Sequence, residues 1–584
     1  MTEVMISKEE NMVDYIDNRK PTPQDPGMPS IMTLPDDTIL NIFNIVYDVS
    51  SRSVLNLAVV CTYWYRLARY VQSQRLSINL DRKTPFKRLD AIISSNLLLA
   101  VRTLHVIGAR HVQDADTIVS HLSIVVPQMT GLRDIIWEGS PIPEPIHRYL
   151  RREHRLRLHL ILTCDIYKDD RACVLLKSLA SSPNLVSIAV GMSYSQGSAC
   201  LEITQPLKRV LLSCTRLSKL SLNLSEIMYD NYLDLPPDRH CGIGLSNGQR
   251  PPPLEEINIE SYTWGVLENR ERYPPGWDEV DYWAEVFDWS RLRRLRESHT
   301  TLASKLVSRL KALKEVDFSD MHHLEQHTVR AFLEGLPSVL ESISISSVAP
   351  VGTAAIMLHS SGLRKLEIHQ KNIWGSSFDK ATISSQDLAL LRDGLPRLEE
   401  LAVDLARNGD AWPKDLLDIL VTFPSLHSLS LCFELGHPNQ HMPPSCRPYV
   451  TASTASKLFS YLLEHPYRKP SRLSRVQVSS CRSSQPPTFL FSEHDYWPEE
   501  NSTIIVCETV YPESNNEFTV TCPNLSYSGN EILQRVLDNP QIPSTSRPDT
   551  VSFRVALEGP LSFEDWMKYY VRGLMYDLYS ALNL

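Results

Sequence analysis

At 584 residues the chain is long enough for several domains or one long repeat array. Its 42% hydrophobic and 22% charged residues are ordinary for a soluble globular protein, and a net charge of −9 argues against a nucleic-acid binder, which carries a basic surplus. No apolar run is long enough to span a bilayer, and residues 1–20 lack a basic-then-apolar leader pattern. The 11 cysteines are scattered, with no C-x-x-C pair. The expectation is a cytoplasmic and/or nuclear chain with reduced, mostly buried thiols.

Residues 1–30 are polar and end in "KPTPQDPGMPS", whose prolines deny the backbone a helix; they read as a disordered tail. From residue 31 to about 80 the pattern is helical. Pro35 suits a first helical turn, and Asp36 and Asp37 suit the positive end of the helix dipole. Ile39 to Val46 reads "ILNIFNIV", apolar almost all round, so the helix has a second face to bury. After the polar turn "DVSSRS", Leu57, Val60, Trp64 and Leu67 recur at helical spacing on one side of a second helix. Val59 and Val60 before Cys61 favour a buried thiol there.

From residue 95 to 481 a short motif, apolar-x-x-apolar-x-apolar, returns many times. Copies begin at Val101, Leu132, Leu185, Leu217, Leu254, Leu313, Leu340, Leu363, Leu398, Leu426 and Leu473, with a frayed "LRRLRE" at Leu292. The alternating tail of each copy predicts a short strand with one buried face. Helical stretches such as "TVRAFLEG", "SQDLALLRDG" and "DLLDIL" lie between copies, several closed by Gly-x-Pro or Phe-Pro. A strand with one helix behind it buries its apolar side only by stacking on its neighbours. The repeat resembles the leucine-rich repeat, with uneven lengths and without most of the asparagine or cysteine that follows the last leucine, so the resemblance implies an irregular solenoid. An ordinary α/β domain with parallel strands is the alternative.

Two insertions interrupt the repeats. Residues 225–253 read as a long loop rich in Pro and Gly. Residues 262–289 hold Trp264, Trp277, Trp283 and Trp289 with Tyr262, Tyr273, Tyr282 and Phe287, and either pack on the repeats or form a binding anchor. Residues 482–584 drop the motif and read as strands ("NSTIIVCETVY", "NEFTVTC") and helices ("NEILQRVLDN", "SFEDWMKYY"), a C-terminal α/β module that caps the repeats.

No phosphate-binding, dinucleotide or nucleophile-elbow motif is present. His322, His323 and His327 lack the glutamate and the third ligand of a metal site. Glu493, His494 and Asp495 are adjacent on a predicted strand and point to opposite faces. The sequence therefore predicts no catalytic residue, no metal and no cofactor. What remains is a surface: the outward positions of the strands. These are Glu256, Asn258 and Glu260, then Glu315, Asp317 and Ser319, with Arg294 and Arg296 between them. Ser342, Ser344 and Ser346 follow, then Lys365, Glu367 and His369, then Glu400 and Asp404. They form either a locally acidic face for a basic partner segment, with Glu256, Asn258, Glu260, Glu315 and Asp317 as substrate-binding candidates, or a solvated face with no partner.

Residues 33–68 resemble the F-box. The residues that carry the resemblance are Leu34-Pro35 with Asp36-Asp37, then Ile39-Leu40 and Ile42-Phe43, then Val60, Cys61, Trp64, Leu67 and Ala68 in "LNLAVVCTYWYRLA". Asp37 stands where glutamate is usual, and "YDVSSRS" departs from the usual break. The resemblance implies that Leu34, Pro35, Ile39, Leu40, Ile42, Phe43, Val60, Cys61, Trp64 and Leu67 dock on the Skp-type adaptor of an SCF ubiquitin ligase, and through it a cullin. The repeats would then select a protein substrate, with no nucleic-acid or membrane partner. Two alternatives stay open: an adaptor-binding scaffold outside protein degradation, and an enzyme whose site lies in the C-terminal module. The implied fold class is α/β: an N-terminal helical F-box over residues 31–80, an irregular leucine-rich-repeat-like solenoid, and a C-terminal α/β cap.

Overall fold

The computed structural model describes residues 34–49, 54, 57–80, 86–108, 121–139, 142–165, 171–194, 197–226, 242–246, 248–262, 264, 277–320, 326–370, 382–408, 411–434, 450–466, 472–481, 503–509 and 518–522. The architecture is mixed α/β, with sixteen strands among the described residues. It divides into two compact units: residues 1–254 with 261–287, and residues 255–260 with 288–584. Among the described residues no helix is long and apolar enough to cross a membrane.

The first unit begins with a helical hairpin. Helix α1 (Asp36–Val49) starts behind Pro35, whose carbonyl accepts the Thr38 and Ile39 N–H groups at 2.9 and 3.1 Å, and carries Asp36 and Asp37 in its first turn. Helix α2 (Thr62–Ser73) is capped by Cys61, whose extended backbone lets Sγ accept the Trp64 N–H at 3.5 Å. Ile39, Phe43, Tyr63 and Leu67 form the buried seam. The Phe43 and Trp64 rings meet edge to face at 5.5 Å, and the Tyr63 hydroxyl donates to Asp36 at 2.7 Å.

The helical reading of residues 31–80 ends too late. Arg75–Asn79 is strand β1, with Leu76 and Ile78 buried between exposed Arg75 and Ser77. Its period of two is masked in the sequence by the helix that runs into it without a break. Strand β1 pairs in parallel with β2 (Thr103–Ile107), β2 with β3 (Asp134–Glu138), β3 with β4 (Arg157–Asp165), β4 with β5 (Leu185–Tyr194) and β5 with β6 (Lys219–Glu226). Helices α3 (Lys87–Ser94), α4 (Glu144–Arg152), α5 (Arg171–Leu179) and α6 (Gly197–Ser213) lie between them in the chain. Parallel neighbours need such crossovers, because a tight turn cannot return the chain to the same end of the sheet. Strand β4 escapes the repeat motif: Leu156, Leu158 and Leu160 alternate without the x-x gap.

The aromatic insertion folds onto its own unit. Helix α7 (Glu279–Val286) is opened by a reciprocal capping box between Asp278 and Asp281. Trp283 is fully buried, 4.8 Å from Phe287 and 5.2 Å from Trp264, which sits 4.9 Å from Tyr262. Glu279 is also fully buried, and its Oε1 accepts the Tyr262 hydroxyl and the Ile243 N–H, each at 2.9 Å. The chain reaches that carboxylate at Gly242, whose φ of +73° suits glycine and where any Cβ would strike Glu279. The described end of the expected loop is thus irregular but packed, with Ile243 and Leu245 buried.

In the second unit, residues 256–259 of β7 (Glu256–Tyr262) pair with β8 (Arg294–Glu297). Parallel pairing continues through β9 (Glu315–Phe318), β10 (Ser342–Ile345), β11 (Lys365–Ile368), β12 (Glu400–Leu405), β13 (Ser428–Glu434) and β14 (Arg475–Cys481). The crossover helices are α8 (Thr301–Leu306), α9 (Gln326–Gly335), α10 (Thr353–Met357), α11 (Ser385–Gly394), α12 (Lys414–Leu420) and α13 (Ala452–Glu464). Every motif copy from Leu254 onward supplies one of these strands, including "LRRLRE". That copy looks frayed because Glu297 stands at an apolar position. Glu297 is buried, and its two carboxylate oxygens accept the Leu302 and Ala303 N–H groups at 2.9 Å, closing the start of α8. Two antiparallel strands, β15 (Ile504–Thr509) and β16 (Phe518–Thr521), extend the order beyond β14. The expected disordered tail and the expected helices near residue 535 and after residue 560 lie outside the described residues.

Two cysteine expectations are corrected. Cys61 is half-buried rather than buried, because Val59 and Val60 before it face solvent, at 85% and 61% exposure. Cys432 is disulfide-bonded rather than a reduced thiol. Cys214 and Cys507 are buried free thiols, as expected of this residue type; burial pushes the Cys507 thiol up to about 12.

Candidate functional site

The residues named by the F-box resemblance separate into two groups. Ile39, Phe43 and Leu67 are buried in the seam between α1 and α2 and are not on offer to a partner. Pro35 and Val60 are exposed, and Leu34, Leu40, Ile42, Cys61 and Trp64 are half-buried. The sequence could not separate these groups: with apolar side chains almost all round α1, periodicity gives no preferred inward face. The structure adds Ile45, Val59 and Tyr65 to the exposed apolar group, with Ile45 at 62% exposure. Among the described residues the buried seam of the hairpin is formed by Ile39, Phe43, Tyr63 and Leu67, without them. Their burial therefore requires something the hairpin does not itself supply.

The outward strand positions are less uniform than expected. Glu256, Asn258, Glu260, Glu315 and Asp317 do lie on the outward face and are half-buried. They are not a free acidic surface, because β8 threads two arginines between them. Arg294 reaches Glu256 at 3.3 Å and Glu315 at 2.8 Å. Arg296 reaches Glu260 at 3.5 Å and Asp317 at 3.4 Å, and also bonds Asp320. Burial opposes the Arg296 charge, but Asp320, Asp317 and Glu260 outweigh it and hold its pKa above the ordinary value. The arginines that interrupt the acidic stripe in the sequence partly offset it in space, two guanidinium groups being shared among five carboxylates. Ser319, Ser344 and Ser346 are buried although expected at outward positions; Ser344 stays on the outward face, in register with Asp317 and Glu367, and donates its hydroxyl to Glu367 across the strand pair at 3.2 Å.

One network on the first unit went unread in the sequence because its members come from three strands. On β4, the His159 ring lies between Ser187 of β5, 2.8 Å from Nδ1, and Asp134 of β3, 3.2 Å from Nε2. The order resembles a proton relay, but Arg157 forks onto both Asp134 oxygens at 2.6 and 2.7 Å. Partial burial pushes the Asp134 carboxyl up. The Arg157 and His159 hydrogen bonds outweigh it, so the carboxyl titrates below its ordinary value and is a poor proton acceptor. The network acts as a clamp across β3, β4 and β5. Its stabilisation is present above the unfolded aspartate pKa of about 3.9 and is lost as pH falls through the lower folded value. Asp134→Asn is therefore expected to be less stable than the parent in urea unfolding at neutral pH, with the difference shrinking below about pH 4. A difference that persists undiminished at lower pH would refute the clamp.

Outward positions of β11–β13 bring His369, Asp404 and Cys432 together, with possible ligand atoms within 4.8 Å of one another. Asp404 is buried; it accepts the Gln370 N–H at 2.9 Å and lies 2.7 Å from His369 Nδ1. The disulfide at Cys432 leaves no thiolate for a metal. Beside this group a cleft of about 250 Å³ opens over Ala402.

Comparison of the chain with protein-family models gives no match, and comparison with curated proteins gives none either.

Proposed function

We propose that the chain is the substrate-recognition subunit of an SCF-type ubiquitin ligase. In this reading the α1–α2 hairpin is an F-box that docks on a Skp-type adaptor, and the strand–helix units are an irregular leucine-rich-repeat-like solenoid that holds a protein substrate. The observation that carries the reading is the exposed apolar set Ile45, Val59, Val60 and Tyr65 on a hairpin whose seam is formed by other residues, Ile39, Phe43, Tyr63 and Leu67. The motif "LPDD…VVCTYWYRLA" supports it from the sequence side. The chain would contribute no catalytic group. It would act by raising the effective concentration of a bound target near the ubiquitin-charged enzyme.

The test is reconstitution of the full chain with the adaptor, a cullin and the ubiquitin-transfer enzymes. Capture of adaptor and cullin together, with ubiquitin appearing on a co-captured protein, is the expected result. Capture of the adaptor without cullin would favour the scaffold reading, and no capture of the adaptor would refute both.

A further inference from the structure

The turns that lead into the strands of the first unit carry an unbalanced charge. Residues 97–102, 128–133, 153–156, 180–184 and 213–218 precede β2, β3, β4, β5 and β6 respectively. They hold Arg102, Arg133, Arg155 and Arg216, and Glu153 is their one carboxylate. Arg152, the last residue of α4, adds a fifth guanidinium, which suits the negative end of that helix. Parallel pairing sets the turns side by side along one edge of the strands. The Arg133 N–H donates to the Arg102 carbonyl, the Arg157 N–H to the Arg133 carbonyl and the Leu158 N–H to the Asn184 carbonyl, each at 2.8 Å. The Ser218 N–H donates to the Val186 carbonyl at 2.9 Å.

Most of these cations are used as donors without being neutralised. Arg102 Nη1 donates to the Leu99 carbonyl at 2.9 Å, and Arg155 Nη2 to the Thr130 carbonyl at 3.1 Å. Arg216 Nη1 donates to the His154 and Pro183 carbonyls at 2.6 and 3.4 Å. A carbonyl accepts a hydrogen bond and carries no net charge. Glu153 pairs with Arg155 at 3.3 Å, but both side chains are well exposed, a loose surface pair. Arg133 and Arg152 are exposed, and among the described residues neither guanidinium has an ion-pair or hydrogen-bond partner. The second unit treats the cations of its turns differently. Arg291 meets Glu255, Lys314 meets Glu341 at 2.6 Å and Arg364 meets Glu399 at 2.9 Å. A chain of net charge −9 thus concentrates positive charge on one edge of its first unit.

We propose that this edge binds an acidic segment of a partner protein, extended across the turns before β2 to β6 with its carboxylates set against Arg133, Arg152, Arg155 and Arg216. Neighbouring strands lie about 4.8 Å apart, so the four steps from β2 to β6 span about 19 Å, which about six residues of extended chain cover. The guanidinium fork matches a carboxylate in two-point contact. A nucleic acid carries its charge well beyond that span and would run onto a chain of net negative charge, whereas a short acidic segment ends where the patch ends. This rests on the reading of the strand–helix region as the partner-selecting part of the molecule, and it gives that part a substrate class: proteins presenting an accessible acidic segment.

The experiment titrates the full-length protein with labelled peptides of about eight residues, enough to cross the edge, in which alanine alternates with glutamate or with glutamine. The glutamate peptide should bind, and the glutamine peptide, which keeps the shape but loses the charge, should bind at least about ten-fold more weakly. Raising the salt from about 50 to about 300 mM should weaken the glutamate peptide by a similar factor, because exposed charges are screened. Arg133→Glu combined with Arg152→Glu should do the same while the thermal melt stays in place, since both side chains are exposed and unpaired within the described residues. Arg364→Glu, on the second unit, should leave binding unchanged. Glutamine binding as well as glutamate, the double variant binding like the parent, an equal loss in Arg364→Glu, or tighter binding of a single-stranded oligonucleotide of the same length would each overturn the proposal. Adaptor capture by the same samples separates the two claims. Failure of the glutamate peptide to bind, with the adaptor still captured, sinks only the acidic-segment edge, whereas peptide binding without adaptor capture sinks only the ligase reading.

Discussion

Changing Val60 and Ile45 together to aspartate is expected to lower the affinity of the full chain for a Skp-type adaptor by roughly 100-fold or more while leaving its unfolding transition in place. The magnitude follows from the interface. Apolar anchors buried by a partner are worth about 2 kcal/mol or more each when they act as hot spots, and each 1.4 kcal/mol is a factor of about ten. A buried, unpaired carboxylate adds a desolvation cost to the loss of apolar contact. Both residues are exposed in the chain itself, at 61% and 62%, so substitution removes little internal packing. Exposed substitutions of this kind usually shift stability by no more than about 0.5 kcal/mol. Titration of the adaptor onto immobilised full-length protein, beside a thermal melt of the same sample, reads both quantities. An unchanged affinity would remove the hairpin surface as the docking site.

Phe43→Ala should behave in the opposite way. Phe43 is 1% exposed and stands edge-on to Trp64 across the α1–α2 seam. Truncating a buried phenylalanine costs about 3–5 kcal/mol through lost transfer energy and the cavity left behind. The hairpin packs through few elements, so the expected loss is local: its amides should exchange faster while the strands β2–β6 keep their protection. Adaptor binding would also fall, but as a fraction of folded hairpin, and it should recover when temperature is lowered toward the stability maximum. Hydrogen exchange on the free protein checks this. Unaltered protection of α1 and α2 in the variant would show that Phe43 is not the keystone that its burial indicates.

The two experiments separate residues that the motif treats as one set. The F-box resemblance groups Ile39, Phe43, Leu67 and Val60 as docking residues. In the structure the first three form the internal seam, and Val60 is the one of the four that faces outward. Motif spacing reports which positions are apolar, and an apolar position serves equally well against a neighbouring helix or against a partner.

The repeats were more legible. Alternation of the Leu220-Ser221-Leu222 kind places β6, and the same pattern places the strands from β7 to β14, because a period of two is a local property of a half-buried strand. Strands β1 and β4 were missed where the period was short or lacked the x-x gap. The Glu297 cap was legible only as a flaw in the repeat, because its partners Leu302 and Ala303 show no side-chain signal.

The strands that carry the apolar-x-x-apolar-x-apolar motif, the helices between them and the apolar excess of α1 were determined by the sequence alone, since each depends on neighbours within one or two turns of chain. Charge was decided only by the tertiary structure. Glu256, Glu260, Glu315 and Asp317 read as an acidic face until parallel pairing brings Arg294 and Arg296 between them, across 20 to 40 residues of chain. Electrostatic partners are set by register between strands, and register depends on how every intervening crossover packs.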